Sequence, residues 1–152
     1  MEWRNGFRHH LSLSEGRRVK CLENLLRMEI TKELIKKRFA EYNQLYFYGK
    51  LGKCKFYFFP RKTSMYGFYL TNKDKNGRLY GSIWLNKCVC WTEEMFKEVL
   101  IHEMIHMYNR MVDGRLADSF LFNGLFSHGF FFGRQCRRLK REYGIVIKKY
   151  GC

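Results

Sequence analysis

The residues best suited to chemistry stand in one short run, Val99-Leu-Ile-His-Glu-Met-Ile-His-Met-Tyr108, which contains His102-Glu103-x-x-His106. Residues four apart on a helix share a face, with Cβ atoms roughly 5–6 Å apart, so both imidazoles can close on one metal ion. Glu103 is rotated by about 100° from His102. It is poorly placed as a third ligand and well placed to touch a water beside the ion, the position of a general base. The rest of the run is apolar enough to be buried on nearly every side. The segment therefore reads as a helix through the core and as the floor of a metal site, provided that a third ligand and an apolar shell accompany it.

The elements around this run must supply both. Thr92 followed by Glu93 and Glu94 gives the motif helix an N-cap and two acids suited to its dipole, and the helix should reach about Met111. Residues 112–126, with two glycines and no clean period, read as a long loop of the kind that is often functional. Ser127-His128-Gly129 then precedes a second patterned helix. On it Phe132, Cys136, Leu139 and Tyr143 form one face, Arg134, Arg137, Arg138 and Arg141 form the other, and Gly144 is the C-cap. A catalytic zinc needs three protein ligands and an open position. The chain has five histidines, of which His9 and His10 lie in a basic N-terminal arm, so His128 is the expected third ligand.

Upstream, Thr31 is a plausible N-cap for an amphipathic helix that carries Ile35, Phe39, Tyr42 and Tyr46 on one stripe and ends near Gly49. Three strands follow: Lys53-Cys-Lys-Phe-Tyr-Phe-Phe59, Tyr66-Gly-Phe-Tyr-Leu70 and Leu79-Tyr-Gly-Ser-Ile-Trp-Leu85. The last two are joined across a polar turn ending in Asn76-Gly77. This order reads as a three-stranded antiparallel meander, in which Gly67 and Gly81 mark a bulge or a close backbone approach, for instance by a bound peptide.

The chain has 152 residues, 46% of them hydrophobic, which is enough for one domain with a real core. Residues 1–20 read as a flexible basic arm and 21–152 as a single domain. The 29 Lys and Arg against 14 Asp and Glu give a net charge of +15, which points to a polyanionic partner, DNA first. No apolar run approaches a membrane span, and the N-terminus lacks the apolar core of a signal peptide, so the reading is an intracellular monomer, cytoplasmic or nucleoid-associated, without a membrane partner. Six cysteines form no Cys-x-x-Cys pair and read as reduced thiols. Cys88 and Cys90 are expected to pack on one face of a strand.

Leu100-Ile-His-Glu-Met-Ile-His106 with His128-Gly129-x-x-Phe132 resembles the SprT-like metalloprotease family, which includes the DNA–protein crosslink protease Spartan. Asn43-x-x-Tyr46-Phe47-x-Gly49-x-Leu51, Gly67 and Ile83-x-Leu85-Asn86 are similar to the pattern that precedes the motif helix in that family, so the resemblance spans roughly residues 30–135. It implies a zincin-like α+β domain with zinc held by His102, His106 and His128 and with Glu103 as catalytic base. The 22 positions from His106 to His128 exceed the interval that the family pattern leads one to expect. The sequence also carries no Cys-rich zinc ribbon, as a stripped-down catalytic module would.

The expected activity is zinc-dependent peptide hydrolysis by a metalloendopeptidase acting on DNA-associated proteins, with the substrate peptide added to a sheet edge at Gly81-Ser-Ile83. Tyr66, Tyr80 and Arg134 are unassigned candidates for stabilising the oxyanion. The arginines at 134, 137, 138 and 141 are the expected DNA contacts. Two other readings remain open at this stage: a nucleic-acid-binding module with structural zinc or lost peptidase activity, and a zinc hydrolase acting on nucleic acid.

Overall fold

Thr31 starts the first helix as expected: its hydroxyl accepts a hydrogen bond from the Leu34 amide at 3.1 Å, and helix α1 runs over Lys32–Phe47. The computed structural model describes residues 27–60, 64–114 and 128–148. The N-terminal arm with His9 and His10, residues 115–126 of the long loop, Cys21 and Cys152 lie outside the described residues. Ile35, Phe39 and Tyr42 are buried and Tyr46 is half-buried, so the stripe faces the core. The helix stops where Tyr48 and Gly49 turn left-handed, with φ of 57° and 69°. There Asn43 clamps the exit: its amide donates to the Leu51 carbonyl and its Oδ1 accepts from the Leu51 N–H, both at 3.0 Å. That two-way bond aims the chain into the sheet.

The sheet contains β1 (Cys54–Phe59), β2 (Gly67–Lys73) and β3 (Leu79–Asn86), in the order β1-β3-β2. β2 and β3 form the expected hairpin, closed by the Asp74 side chain, which accepts from the Asn76 and Arg78 amides. β1 instead pairs in parallel with β3, with Cys54 opposite Gly81 and Phe59 opposite Asn86. The expectation of an antiparallel meander is therefore wrong. Burial gives the reason. Gly81, Ser82, Ile83, Leu85 and Asn86 of β3 are all buried, whereas most of β2 is only half-buried, so the strand that can be covered on both faces takes the centre.

Helix α2 (Glu93–Met111) crosses this sheet, with Thr92 as its N-cap accepting from the Met95 amide. The two strand glycines are explained by close packing, against α2 at Gly81 and against β3 at Gly67. A Cβ on Gly81 would stand 3.0 Å from Met107 Sδ, and one on Gly67 would stand 2.9 Å from Leu85 Cδ2 and 3.4 Å from Val99 Cγ1. Both pairings continue through these positions without a bulge. The close approach is by the protein itself, including the Trp84 carbonyl oxygen 2.9 Å from a Cβ on Gly67.

Helix α3 (Phe130–Tyr143) ends at Gly144, whose φ of 68° permits the left-handed C-cap. Phe132 and Leu139 are fully buried, Cys136 is half-buried and Tyr143 lies at the rim with its ring against Tyr46. Residues 144–148 then run back over α2, with Ile147 in the core. Cys54, Cys88, Cys90 and Cys136 are free thiols. Cys88 and Cys90 are exposed in the turn after β3, not packed on a strand face as expected, because β3 ends at Asn86. Among the described residues, no helix is long and apolar enough to cross a membrane.

Candidate metal centre

Every residue of α2 from Val99 to Met107 is buried, so polar groups in that stretch are desolvated and must be answered by partners. His102 and His106 project from one side of the helix, and His128, two residues ahead of the first residue of α3, meets them from across the gap. Nε2 of His102 lies 3.2 Å from Nε2 of His106 and 2.8 Å from Nε2 of His128. One ring nitrogen from each of the three lies within 4.8 Å of the others. A tetrahedral zinc with Zn–N bonds of about 2.0–2.1 Å sets its donors roughly 3.3–3.4 Å apart. The His102–His106 separation of 3.2 Å is already close to that figure.

The chemistry of the donor set also fits a cation. Neutral imidazole has one N–H and one lone pair, and three rings whose nitrogens face one another cannot all be satisfied by mutual hydrogen bonds. Burial lowers the pKa of His102 to about 4, assisted by the neighbouring His128 and opposed by a hydrogen bond to the Lys148 backbone. His106 is lowered well below the ordinary histidine value, by burial first and then by His102 and His128. His102 and His106 thus stay neutral at physiological pH, the state in which they can ligate a metal.

Phe132 walls the site. Its ring centroid is 4.8, 4.9 and 4.6 Å from those of His102, His106 and His128. The sequence placed Phe132 on the apolar face of α3 but gave no sign that it touches all three rings. Glu103, at the next helical position after His102, is buried, and burial alone pushes its carboxyl up to about 8. Buried polar residues that the sequence did not flag include Asn109, one turn beyond His106, and Gln135 of α3.

Other expected site residues fall less simply. Alternation along β3 turns Gly81, Ile83 and Leu85 toward α2 and Tyr80 away from it, which removes Tyr80 from the candidates for the oxyanion. Tyr66 packs edge-on against Trp91. Arg134 pairs with Asp113 at 2.5 Å and so ties the start of α3 to the end of α2. Gly81-Ser-Ile83 cannot receive a peptide strand, because β3 is central and these residues pair with β1 on one side and β2 on the other.

The arginines of α3 are not equivalent. Arg137 and Arg141 are exposed, whereas Arg138 turns inward: it donates to the Tyr46 carbonyl at 2.7 Å, to Gln135 at 2.9 Å and to Glu142 at 3.2 Å. Arg138 therefore locks α3 onto the end of α1, and the outward basic row is shorter than the sequence pattern implied.

Compared with protein-family models, residues 35–150 match that of the SprT-like family. No curated protein matches the chain.

Proposed function

The chain belongs to the SprT-like family, and from that premise we propose that it is a zinc-dependent endopeptidase in which His102, His106 and His128 hold the metal and Glu103 is the general base. The observation that carries this reading is the convergence of one ring nitrogen from each of three histidines, two of them on a helix that also carries a buried carboxyl. Zinc at that point supplies Lewis acidity, polarising a carbonyl and acidifying water toward a pKa near 7.

The protein's own residues do the rest. The spacing of α2 sets two donors one turn apart, and the start of α3 brings the third. Phe132 shields the site from solvent. Glu103 has no water to stabilise its charge, so it ionises only beside a positive charge; in that state it takes a proton from the attacking water and delivers it to the leaving amine. A purely structural site has no use for a carboxylate there, which favours a hydrolase over a binding module with structural zinc.

The substrate class extends this proposal. A net charge of +15, with Arg137 and Arg141 exposed on the helix that begins beside His128, supports proteins held on DNA as the targets. Incubating the purified zinc form with an unfolded protein and with single-stranded DNA and RNA separates the readings. The expected result is cleavage of the protein alone. Cleavage of nucleic acid with the protein substrate intact would overturn it in favour of a phosphodiesterase.

A further inference from the structure

The segment after α3 lies over the motif helix at the position of its first ligand. The Lys148 N–H donates to Glu98 Oε1 at 2.7 Å, and the Lys148 backbone also approaches the His102 ring. Glu98 and His102 are four apart on α2 and share a face. An extended residue presents its N–H and C=O on the same side, as in the paired positions of an antiparallel ladder, so Lys148 can reach both side chains at once. Ile147, buried in the core, anchors the segment from the other side.

We infer that Glu98 is a positioning residue for the metal centre: by gripping the Lys148 N–H it fixes the Lys148 carbonyl against His102 and thereby sets the tautomer and orientation of that ligand. This rests on the reading of His102 as a metal ligand. His102 Nδ1 is shut off from solvent, and the Lys148 backbone lies beside the ring. A ring that donates from Nδ1 keeps its lone pair on Nε2, the atom that faces His106 and His128. Groups that hold the second nitrogen of a ligating histidine typically contribute 10–100-fold in metal affinity. No residue pattern signals this linkage, because Glu98 and Lys148 are 50 residues apart and the contact uses the backbone of Lys148, whose side-chain identity is immaterial.

The test is the zinc dissociation constant, measured by competition with a chromophoric chelator under conditions where circular dichroism shows the zinc-free protein folded. Glu98→Ala should bind zinc 10–100-fold more weakly, and Glu98→Gln, which keeps an acceptor, should recover to within a few-fold of wild type. Lys148→Pro removes the N–H while leaving Glu98 intact and should lose about as much as Glu98→Ala. It also keeps the proposal testable if Glu98→Ala does not fold. The double variant should be no worse than either single one, since both break one linkage. With cobalt in place of zinc, the weakened variants should show an altered visible spectrum, which a loss of stability alone would not produce. Wild-type affinity in Glu98→Ala and Lys148→Pro, or losses that add, would overturn the inference. His102→Ala is the control: if it too keeps wild-type affinity, the metal-site reading fails, whereas loss in His102→Ala alone rejects only the role of Glu98.

Discussion

Helices α2 and α3 meet at the three histidines, yet they place polar groups by opposite rules. In α2 the stretch from Val99 to Met107 is buried throughout, and a polar side chain there loses several kcal/mol of solvation unless something answers it. His102, Glu103 and His106 are thus conspicuous; the two histidines answer each other and meet His128, at a point where the three can hold a metal. In α3 the polar residues are numerous and one side is wet. A charge there costs little, so its presence says little: Arg134 ties two helices together, Arg138 braces α1, and only Arg137 and Arg141 stand free of such inward duties. The strength of a functional signal follows the desolvation that it survives.

The contrast can be broken most forcefully through the ligands. His102→Ala or His106→Ala should leave protein that retains no zinc after gel filtration, whereas Arg137→Gln should retain wild-type stoichiometry, as read by elemental analysis. Full occupancy in His128→Ala would remove that residue from the ligand set and leave the convergence of the three rings unexplained.

A smaller effect separates the arginines of α3. Replacing Arg138, whose side chain is 16% exposed, by Ala should destabilise the fold by roughly 1.5–3 kcal/mol, the range for hydrogen bonds to a charged group. Arg141, at 75% exposure, should change stability by less than about 0.5 kcal/mol on the same substitution. Urea unfolding reads both. Equal losses would mean that the inward turn of Arg138 carries no weight.

The basic face sharpens the comparison further. DNA binding should show little sequence preference and weaken with salt, and changing Arg137 and Arg141 together to Gln should flatten the slope of log K against log salt by about 1.5 to 2 if both touch phosphate. An unchanged slope would move the DNA surface away from α3.

The gentlest test is pH, applied to chelator-treated protein. His102 titrates at about 4 when folded against an ordinary 6.5. The unfolded chain therefore binds protons that the folded one refuses, and stability should fall as pH drops from about 6.5 toward 4. Glu103 has the opposite sign, with a folded value of about 8 against 4.5, so its share of stability is lost as pH rises between those values. Glu103→Gln should remove the loss on the alkaline side and leave the acid side in place. Denaturation midpoints across pH 4–9 would show whether it does.

Legibility in the sequence follows the same physical divide. The stripe of α1, the caps at Thr31, Thr92 and Gly144, and the converging histidines were all readable, because each depends on residue types at short helical spacing. Sheet order was not. Alternation tells which side of a strand is buried but not which strand lies in the middle, and β3 hid its central place behind the small residues Gly81 and Ser82. Gly81 looked like a bulge because Met107, which fills the space over it, lies 26 residues further along the chain. Arg138 read as one more DNA-facing member of the basic row since the Tyr46 carbonyl it grips is 92 residues away. Long-range backbone partners leave no periodic trace.

If the buried carboxyl of α2 acts on a water beside a metal held by three histidines, Glu103→Gln should differ from wild type in turnover alone. Gln fills the same volume and cannot accept the proton. With zinc content and unfolding midpoint measured on the same samples, the variant should carry one zinc per chain, fold as wild type does, and cleave an unfolded protein slower by at least ~10²–10⁴-fold, the usual contribution of a general base. Equal cleavage rates at equal zinc content would contradict the account.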